Sequence, residues 1–441
     1  MKIGEFSKQF NVPIATVRHY INLGLLVPEK NGFQYDFTED DCREMEIITS
    51  MKNVGFKLSE LNKYLNIFRF YNTDDYLLYE KLLEFLNTKK ESLYAERNQI
   101  NSHIRLINKE IKETERSCAH AMSRSGSATT PLPSNDHLPG VPLNAVNLLS
   151  CPHCQSKINL SNVTIAGDSI INGDLVCKCG YRATIRNGII FTPNTVDLEN
   201  DPKFLECYFG EENLICNEDG MFLMGMNDYS AQYLTIMHKA SLWIHKELEQ
   251  FDFNGKTLLF PDVSCQYLYS HYQDEKIEDS IFLITALSER TIRTMRRHIA
   301  NVNPNLKVVY IINQDGQLPL KHNCIDAVID YLGSTNLGFF YGEHYFDMIT
   351  PYLSDDALSV GIIEYYDRDC SSLKNVHKNY LNAAKNVLTL EFATEAFAAN
   401  GFQIEKSEQP SELQEPGKFF EYHAPGDKRY NMVYLARRKN R

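Results

Sequence analysis

Thr16-Val17-Arg18-His19-Tyr20-Ile21-Asn22-Leu23 reads as a short helix that follows a tight turn at Asn11-Val12-Pro13. Proline presets φ for a first helical position, so the helix is expected to open at the proline. A first helix, Ile3 to Phe10, precedes the turn. Two short helices joined in this way form the arrangement that lays the second in a DNA major groove and the first across the backbone. Downstream, Lys30 to Phe37 reads as a hairpin turning at Asn31-Gly32, which would make a wing. Thr38, with Asp41 three residues on, resembles a capping box and opens a helix that Gly55 closes.

The same segment resembles the winged-helix domain of the MerR family of transcription regulators. The matching residues are Ile3-Gly4-Glu5, the Thr16-Val17-Arg18-His19-Tyr20 core, Gly24-Leu25-Leu26 with Pro28, the wing from Gly32, and Gly55-Phe56-Lys57-Leu58-Ser59-Glu60-Leu61. The resemblance implies DNA contacts from Arg18 and Tyr20, flanked by Thr16 and His19, and from a wing carrying Lys30, Gln34 and Tyr35. The family wing usually has an arginine after its aromatic. Gln34 stands there instead, which leaves Lys30 as the wing's charge. By count of its Lys, Arg, Asp and Glu the segment has no basic excess, so Arg18 also reads as a solvated helix residue. The order of elements, not charge, carries the DNA reading.

Length and charge bound the remainder. A chain of 441 residues is too long for one core and suggests roughly three units. Its net charge of -12 argues against general coating of nucleic acid and confines any DNA contact to one face. Without a run of eighteen apolar residues or a signal-peptide core, the expectation is a cytoplasmic protein with no membrane partner; the MerR resemblance implies a bacterial one associated with the nucleoid. Eleven cysteines, scattered except for one cluster, suit free thiols and a metal site in a reducing compartment.

After an aromatic-rich segment, Leu61 to Tyr79, a helix free of Gly and Pro is expected from about Asp75 to Cys118. Leu83, Leu86, Leu93, Ile100, Ile104, Ile107 and Ile111 fall on alternating a and d positions, with Lys90 and Arg97 interrupting two a positions. A sustained seam of this kind needs a partner. The MerR resemblance implies an antiparallel coiled coil in a homodimer; the alternative is packing against a later part of the same chain. Residues 119–145 are rich in Ser, Thr, Pro and Gly and read as a flexible linker.

Cys151-Pro152-His153-Cys154 and Cys177-Lys178-Cys179-Gly180 form two knuckles a hairpin apart, placing four thiolates within reach of one tetrahedral Zn2+. The expected ligands are Cys151, Cys154, Cys177 and Cys179, in a closed and therefore structural site. The second knuckle lacks one residue of the usual spacing, and His153 is an alternative to one sulfur. With Tyr181 and Asn187-Gly188-Ile189-Ile190, the segment resembles the zinc ribbon that precedes some bacterial methyltransferases.

Beyond about Phe204 strands alternate with helices. Strands are expected at Thr257 to Phe260, Ile281 to Thr285, Lys307 to Ile311, Ile325 to Ile329 and Leu358 to Ile363, with a final antiparallel pair at Phe402 to Lys406 and Met432 to Arg437. Helices are expected at Ser288 to Ala300 and Tyr380 to Asn400. This alternation implies an α/β doubly wound sheet with its ligand crevice at the carboxyl ends of the strands. With Asp315-Gly316-Gln317-Leu318-Pro319 and Asn323-Cys324-Ile325-Asp326-Ala327-Val328, it resembles a class I S-adenosylmethionine-dependent methyltransferase domain, a Rossmann-like fold.

The cofactor loop departs from that family. A glycine-rich turn should follow the first strand so that backbone can approach the ligand. The loop reads Phe260-Pro261-Asp262-Val263-Ser264-Cys265-Gln266-Tyr267, with Asp262, Ser264 and Gln266 where glycines are usual. Ala286 stands where a ribose-binding acid is expected, and Asp315 alone is kept, near the adenine position. Loss of a charged acceptor typically costs about 1.5 to 3 kcal/mol, so S-adenosylmethionine is not expected to bind. The isolated His238, His245 and His344 suggest no catalyst. Cys265 faces the expected crevice and reads as a reactive thiol or as a small buried hydrophobe.

The expected organisation is a multidomain chain: a winged helix at 1–70, an all-α dimerisation helix at 71–118, a linker at 119–145, a small β zinc ribbon at 146–195 and a methyltransferase-like domain at 196–441. The function it implies is that of a dimeric regulator binding double-stranded promoter DNA, with RNA polymerase at the promoter and an unknown small-molecule effector sensed by the C-terminal domain. The alternative is an active methyltransferase fused to a DNA-binding module.

Overall fold

The computed structural model describes the chain except residues 33, 71–75, 125–137, 194, 197, 199–228, 273–278, 380–382, 384–385, 418–419 and 440–441. It divides into two compact units, 1–127 and 128–441.

In the first unit, α1 (Ile3–Gln9) and α2 (Ile14–Asn22) are joined through Asn11, which takes a left-handed φ of 51°. Pro13 is the N-cap of α2 and not its first helical residue. The wing is β1 (Glu29–Asn31) paired with β2 (Gln34–Asp36). Asn31 pairs with Gln34, so Asn31 belongs to the ladder and not to the turn; Gly32, at φ 63°, takes a positive angle just beyond β1.

The capping box opening α3 (Glu39–Asn53) is reciprocal. Asp41 N–H donates to Thr38 Oγ1 at 3.3 Å, and Thr38 N–H donates to Asp41 Oδ2 at 2.8 Å. Gly55, at φ 84°, follows the helix end. α4 (Leu58–Phe70) then brings Arg69 back to Glu44 through two bonds of 2.7 Å, and to the carbonyls of Gly24 and Leu25, each at 2.9 Å. One guanidinium thereby fixes α3, α4 and the chain leaving α2.

α5 runs from Tyr76 to Arg124, six residues past the expected end. Its first turns bury Leu78 and Leu82 and lay Phe85 and Leu86 on the core of the first unit. Lys89 donates to Glu60 at 2.7 Å. Beyond that point Leu93, Ile100, Ile104, Ile107 and Ile111 are each at least 41% exposed. These five apolar residues, with Lys90 and Arg97 interrupting the seam, are exposed on α5.

The second unit begins earlier than expected. Leu138, Val141 and Ala145 are buried, and β3 (Val141–Pro142) pairs with β5 (Ser169–Val176). Arg296 Nη2 donates to Pro139 O at 2.7 Å. Of the expected linker, 119–124 is helical and 138–145 is packed, because its Leu, Val and Ala find a core that composition does not reveal. The rest lies outside the described residues.

β4 (Asn159–Ala166), β5, β6 (Arg182–Arg186) and β7 (Ile189–Phe191) form an antiparallel meander. β7 then pairs in parallel with β10 (Val308–Ile312), Ile189 opposite Tyr310. The ribbon and the C-terminal sheet are thus one sheet, and the expected division at 195/196 falls beside a continuous ladder. The strand order is β13-β15-β12-β11-β8-β9-β10-β7-β6-β5-β3.

Its central strands, β10, β9 (Ile281–Ala286), β8 (Thr257–Pro261), β11 (Ile325–Asp330) and β12 (Leu353–Tyr366), are parallel. β15 (Arg429–Arg438) lies antiparallel between β12 and β13 (Phe402–Ser407), and β14 (Ser411–Leu413) joins its other end. Strand side chains alternate between two cores: Phe282 and Ile284 enter one, Ile281 and Leu283 the other. The first core is covered by α6 (Ala231–Leu248), α7 (Cys265–His271), α8 (Glu289–Val302) and α11 (Ser371–Asn379). The second is covered by α9 (Gly333–Tyr341), α10 (Tyr345–Ile349) and α12 (Leu390–Ala399). Burial on both faces makes this a doubly wound, Rossmann-like fold.

The expected onset near Phe204 lies outside the described residues. The single helix expected over Tyr380 to Asn400 is not formed. Leu388 takes φ 60°, and Thr389 caps a new helix by accepting Phe392 N–H at 3.2 Å.

The Arg69 clamp generates a prediction. Arg69→Leu leaves Glu44 and two backbone carbonyls without their donors and should lower the stability of the first unit by about 1 to 3 kcal/mol. Lys81→Ala removes an exposed pair with Glu84 and should change it by less than about 1 kcal/mol. Urea titration followed by circular dichroism measures both.

Candidate functional site

Three places gather the residues singled out in the sequence. In the first unit, α2 is anchored by Val17 and Tyr20, both buried, which leaves Arg18 and His19 exposed and Thr16 half-buried. Tyr20 lies under the helix. Its hydroxyl accepts from Nζ of the exposed Lys52 at 2.9 Å. On the wing, Lys30 and Gln34 are exposed and Tyr35 is half-buried, with Lys30 Nζ 5.9 Å from the Tyr35 ring centre. Arg18 and Lys30 take part in no ion pair among the described residues. Asp36 is engaged by Lys2 at 2.9 Å and Asn31 at 3.2 Å, and these bonds hold its carboxyl below the usual range. Acids in the first turn of α3 serve its capping box and helix dipole.

The second place is the cysteine cluster. The Sγ atoms of Cys151, Cys154, Cys177 and Cys179 all lie within 4.8 Å of one another. Cys151 and Cys179 are 3.4 Å apart, and Cys154 and Cys177 are 3.5 Å apart. Sulfurs bound tetrahedrally at ~2.3 Å from zinc stand ~3.8 Å apart, so the donor set and its spacing fit a four-coordinate metal. Both knuckles turn through positive φ, Gln155 at 54° and Gly180 at 100°, and the glycine absorbs the shorter spacing of the second. His153 turns away, its Nε2 2.8 Å from Gln317 Oε1. Burial pushes the Cys151 thiol up to about 12, whereas the Ser156 hydroxyl draws Cys154 down to about 6. A cation would favour the thiolate at all four.

The third place is the row of carboxyl ends of the parallel strands. Between β8 and β11, where a doubly wound sheet opens its crevice, the loops meet. A Cβ added at Gly333 would stand 2.0 Å from Pro261 O and 2.7 Å from Ser264 Oγ. Asp262 is fully buried at φ 47°, a left-handed backbone kept without glycine, and Asn336 Nδ2 donates to its carboxylate. Ser264 and Cys265 are buried under this turn, and nothing is described of the Gln266 side chain. Asp330, at the end of β11, is spent on the start of α9 by accepting from Ser334 N–H at 2.8 Å and from the Ser334 hydroxyl. Burial pushes its carboxyl up despite these bonds.

Ala286 ends β9 and offers no acceptor side chain. Asp315 is exposed but internally engaged, accepting from Asn313 Nδ2 at 2.9 Å and Gln317 N–H at 3.0 Å. At the far end of the row, Arg429 sits 3.8 Å from the Phe420 ring centre, paired with Glu364 and bonded to Tyr422 Oη at 3.1 Å. Burial works against the Arg429 charge, but Glu364 and the surrounding tyrosines outweigh it and hold the guanidinium protonated. Asn336, Asp330, Glu364 and Arg429 escaped the sequence reading. A carboxylate ending an apolar strand, as at Asp330, was the available signal; the other contacts join distant positions.

Residues 1–66 match the family described as MerR HTH family regulatory protein. Similar curated proteins include the HTH-type transcriptional regulator AdhR of Bacillus subtilis (strain 168), 35% identical over 71 residues, 15% of this chain and 50% of that protein. HmrR of Rhizobium leguminosarum bv. viciae, also an HTH-type transcriptional regulator, is 30% identical over 69 residues, 15% of this chain and 54% of that protein. The chain spans about half the length of the curated relatives it matches. Among solved structures, the MccD protein aligns with 44% of this chain and 96% of its own at 15% identity and a TM-score of 0.35. A geranyl diphosphate methyltransferase aligns with 46% of this chain and 77% of its own at 10% identity and a TM-score of 0.33. No helix among the described residues is long and apolar enough to cross a membrane. The N-terminal segment that carries Arg18 and the Lys30 wing is a MerR-type helix-turn-helix domain.

Proposed function

We propose that the chain is a dimeric transcription regulator that binds double-stranded promoter DNA through α2 and the wing, and whose methyltransferase-like domain senses an effector instead of transferring methyl groups. The DNA part is supported by the exposed cations Arg18 and Lys30, which take part in no ion pair among the described residues, on a helix-turn-helix domain. The dimer is supported by the uncovered Leu and Ile seam of α5, which in water favours a partner helix. By likeness to the MerR regulators, remodelling of the promoter spacer for RNA polymerase is the expected output, with DNA deformation carrying the energy.

The observation that carries the sensing reading is the contact of Gly333 with Pro261 above the buried Asp262. Where a working enzyme needs an open, backbone-lined turn, this chain has two loops in contact. Any effector must act by different affinity for two states of the protein. The cysteine cluster is assigned to structural zinc, which would supply cross-linking of the two knuckles and no reaction, because four sulfurs leave no open position.

Four measurements test this reading. Arg18→Ala should weaken operator binding by about 1 to 3 kcal/mol if Arg18 reads a base edge, while leaving the dimer intact; unchanged affinity in a gel-shift titration at fixed salt removes Arg18 from the interface. Replacing Leu93 and Ile100 together by aspartate should give monomers by light scattering, since the seam would then bury unpaired charge. Protein purified without added metal should contain one zinc per chain, absent after Cys151→Ser with Cys177→Ser and released by acid as the thiolates protonate. Calorimetry with S-adenosylmethionine at about 0.1 mM should show no binding heat, although a ligand of micromolar Kd would saturate there. A clear isotherm with label transfer to any acceptor would establish the enzyme.

A further inference from the structure

β6 crosses the ribbon with successive side chains on opposite faces. Ala183 and Ile185 enter the second core, and Arg182, Thr184 and Arg186 stand exposed on the other face. Strand register continues that face outward: Arg182 lies opposite Val176 and Val176 opposite Asn159, and Thr184 lies opposite Asp174 and Asp174 opposite Ser161. The Arg186 guanidinium is 3.8 Å from the Phe191 ring centre, a contact that keeps it on the sheet. Lys157 and Lys178, both exposed, stand in the cysteine knuckles, each two residues beyond the Asn159–Val176 row.

Residues 146–191 carry these four cations against two acids, Asp168 and Asp174, in a chain of net charge -12. Asp174, the acid of this face, already accepts from Asn162 Nδ2 at 2.6 Å. None of the four cations enters an ion pair or hydrogen bond among the described residues, whereas Lys256, Lys307 and Lys428 elsewhere in the second unit each find an acid. Such a face favours a polyanion, because phosphates that replace its counterions release their own. Four residues of strand set Arg182 and Arg186 about 13 Å apart, close to the ~12 Å width of a DNA major groove, so each can take a phosphate on one side of it. Tyr181 and Phe191 are buried, which leaves no exposed Tyr or Phe ring on the ribbon for the bases of a single strand to stack on. We infer that this face is a second contact with duplex DNA, a clamp on phosphates that reads no base. The inference rests on the DNA reading above, in which α2 brings duplex to the chain; a tethered second contact then raises the affinity of both.

Fluorescence anisotropy on the full chain tests it, with a mixed-sequence duplex of about 40 base pairs as the probe between 50 and 200 mM salt. Arg182→Gln with Arg186→Gln should bind about tenfold more weakly at 50 mM, and the slope of log K against log salt should flatten by about 1.8 per chain. Arg182→Lys with Arg186→Lys keeps the charge and should restore both; a lysine pair that loses as much as the glutamine pair overturns the inference. Arg18→Ala with Lys30→Ala is the parallel test of the DNA reading. Binding that falls with this pair and not with the ribbon pair overturns the ribbon contact alone. Binding that falls with the ribbon pair alone removes α2 and leaves the ribbon contact standing. A wild type that binds no duplex at 50 mM sinks both. Ribbon-dependent binding that is tighter to single-stranded RNA of the same length overturns the assignment to duplex DNA.

Discussion

At the centre of the second unit, the backbone at Gly333 lies so close to Pro261 that no side chain larger than hydrogen fits between them. Parallel strands end in loops that ordinarily part at the switch point, and a crevice forms because nothing fills the gap. Here the start of α9 fills it. Asp330 and Ser334 hold that helix end from below, Asn336 reaches across to Asp262, and the turn after β8 keeps a left-handed residue without the glycine that would leave room for a ligand. The doubly wound sheet keeps its frame because the frame depends on strands buried on both faces. The site above it can close without disturbing either core.

The first unit obeys a different constraint. Its elements are short, so side-chain bonds to backbone fix their angles. Arg69 binds the carbonyls of Gly24 and Leu25, just beyond α2, while gripping Glu44 of α3, and the Thr38–Asp41 box sets where α3 begins. With Val17 and Tyr20 committed to the core, α2 has one free face, and that face carries Arg18 and His19. Presentation of that face of α2 is thus a consequence of packing, and of the acids of α3 Asp41 is occupied in capping while Asp40 and Glu44 pair with arginines.

Within the second unit, the four sulfurs of the ribbon gather two knuckles, and its last strand continues the parallel sheet. A ribbon joined through β7–β10 pairing cannot shift without affecting the strand ends beside it. Gln314 and Val196 stand at that junction, where the pairing gives way to side-chain contacts.

Signals confined to neighbouring residues were legible in the chain itself. The turn and order of elements in 1–66, the cysteine spacings, the heptad of α5 and the apolar runs of β8 to β12 each depend on local chemistry that repeats along a few residues. The loss of glycine at Asp262 and of an acid at Ala286 was legible for the same reason. Local signals also misled: Pro and Gly around 138–145 read as linker although their apolar neighbours are buried, and the stretch after Tyr380 read as one helix although Leu388 turns left-handed. Tertiary structure alone decided that Tyr20 meets Lys52, that His153 meets Gln317, and that ribbon and sheet are one. It alone decided that Gln314 meets a backbone 118 residues away. Such contacts leave no pattern in sequence, because their partners are brought together by burial of the sheet and not by anything either residue specifies.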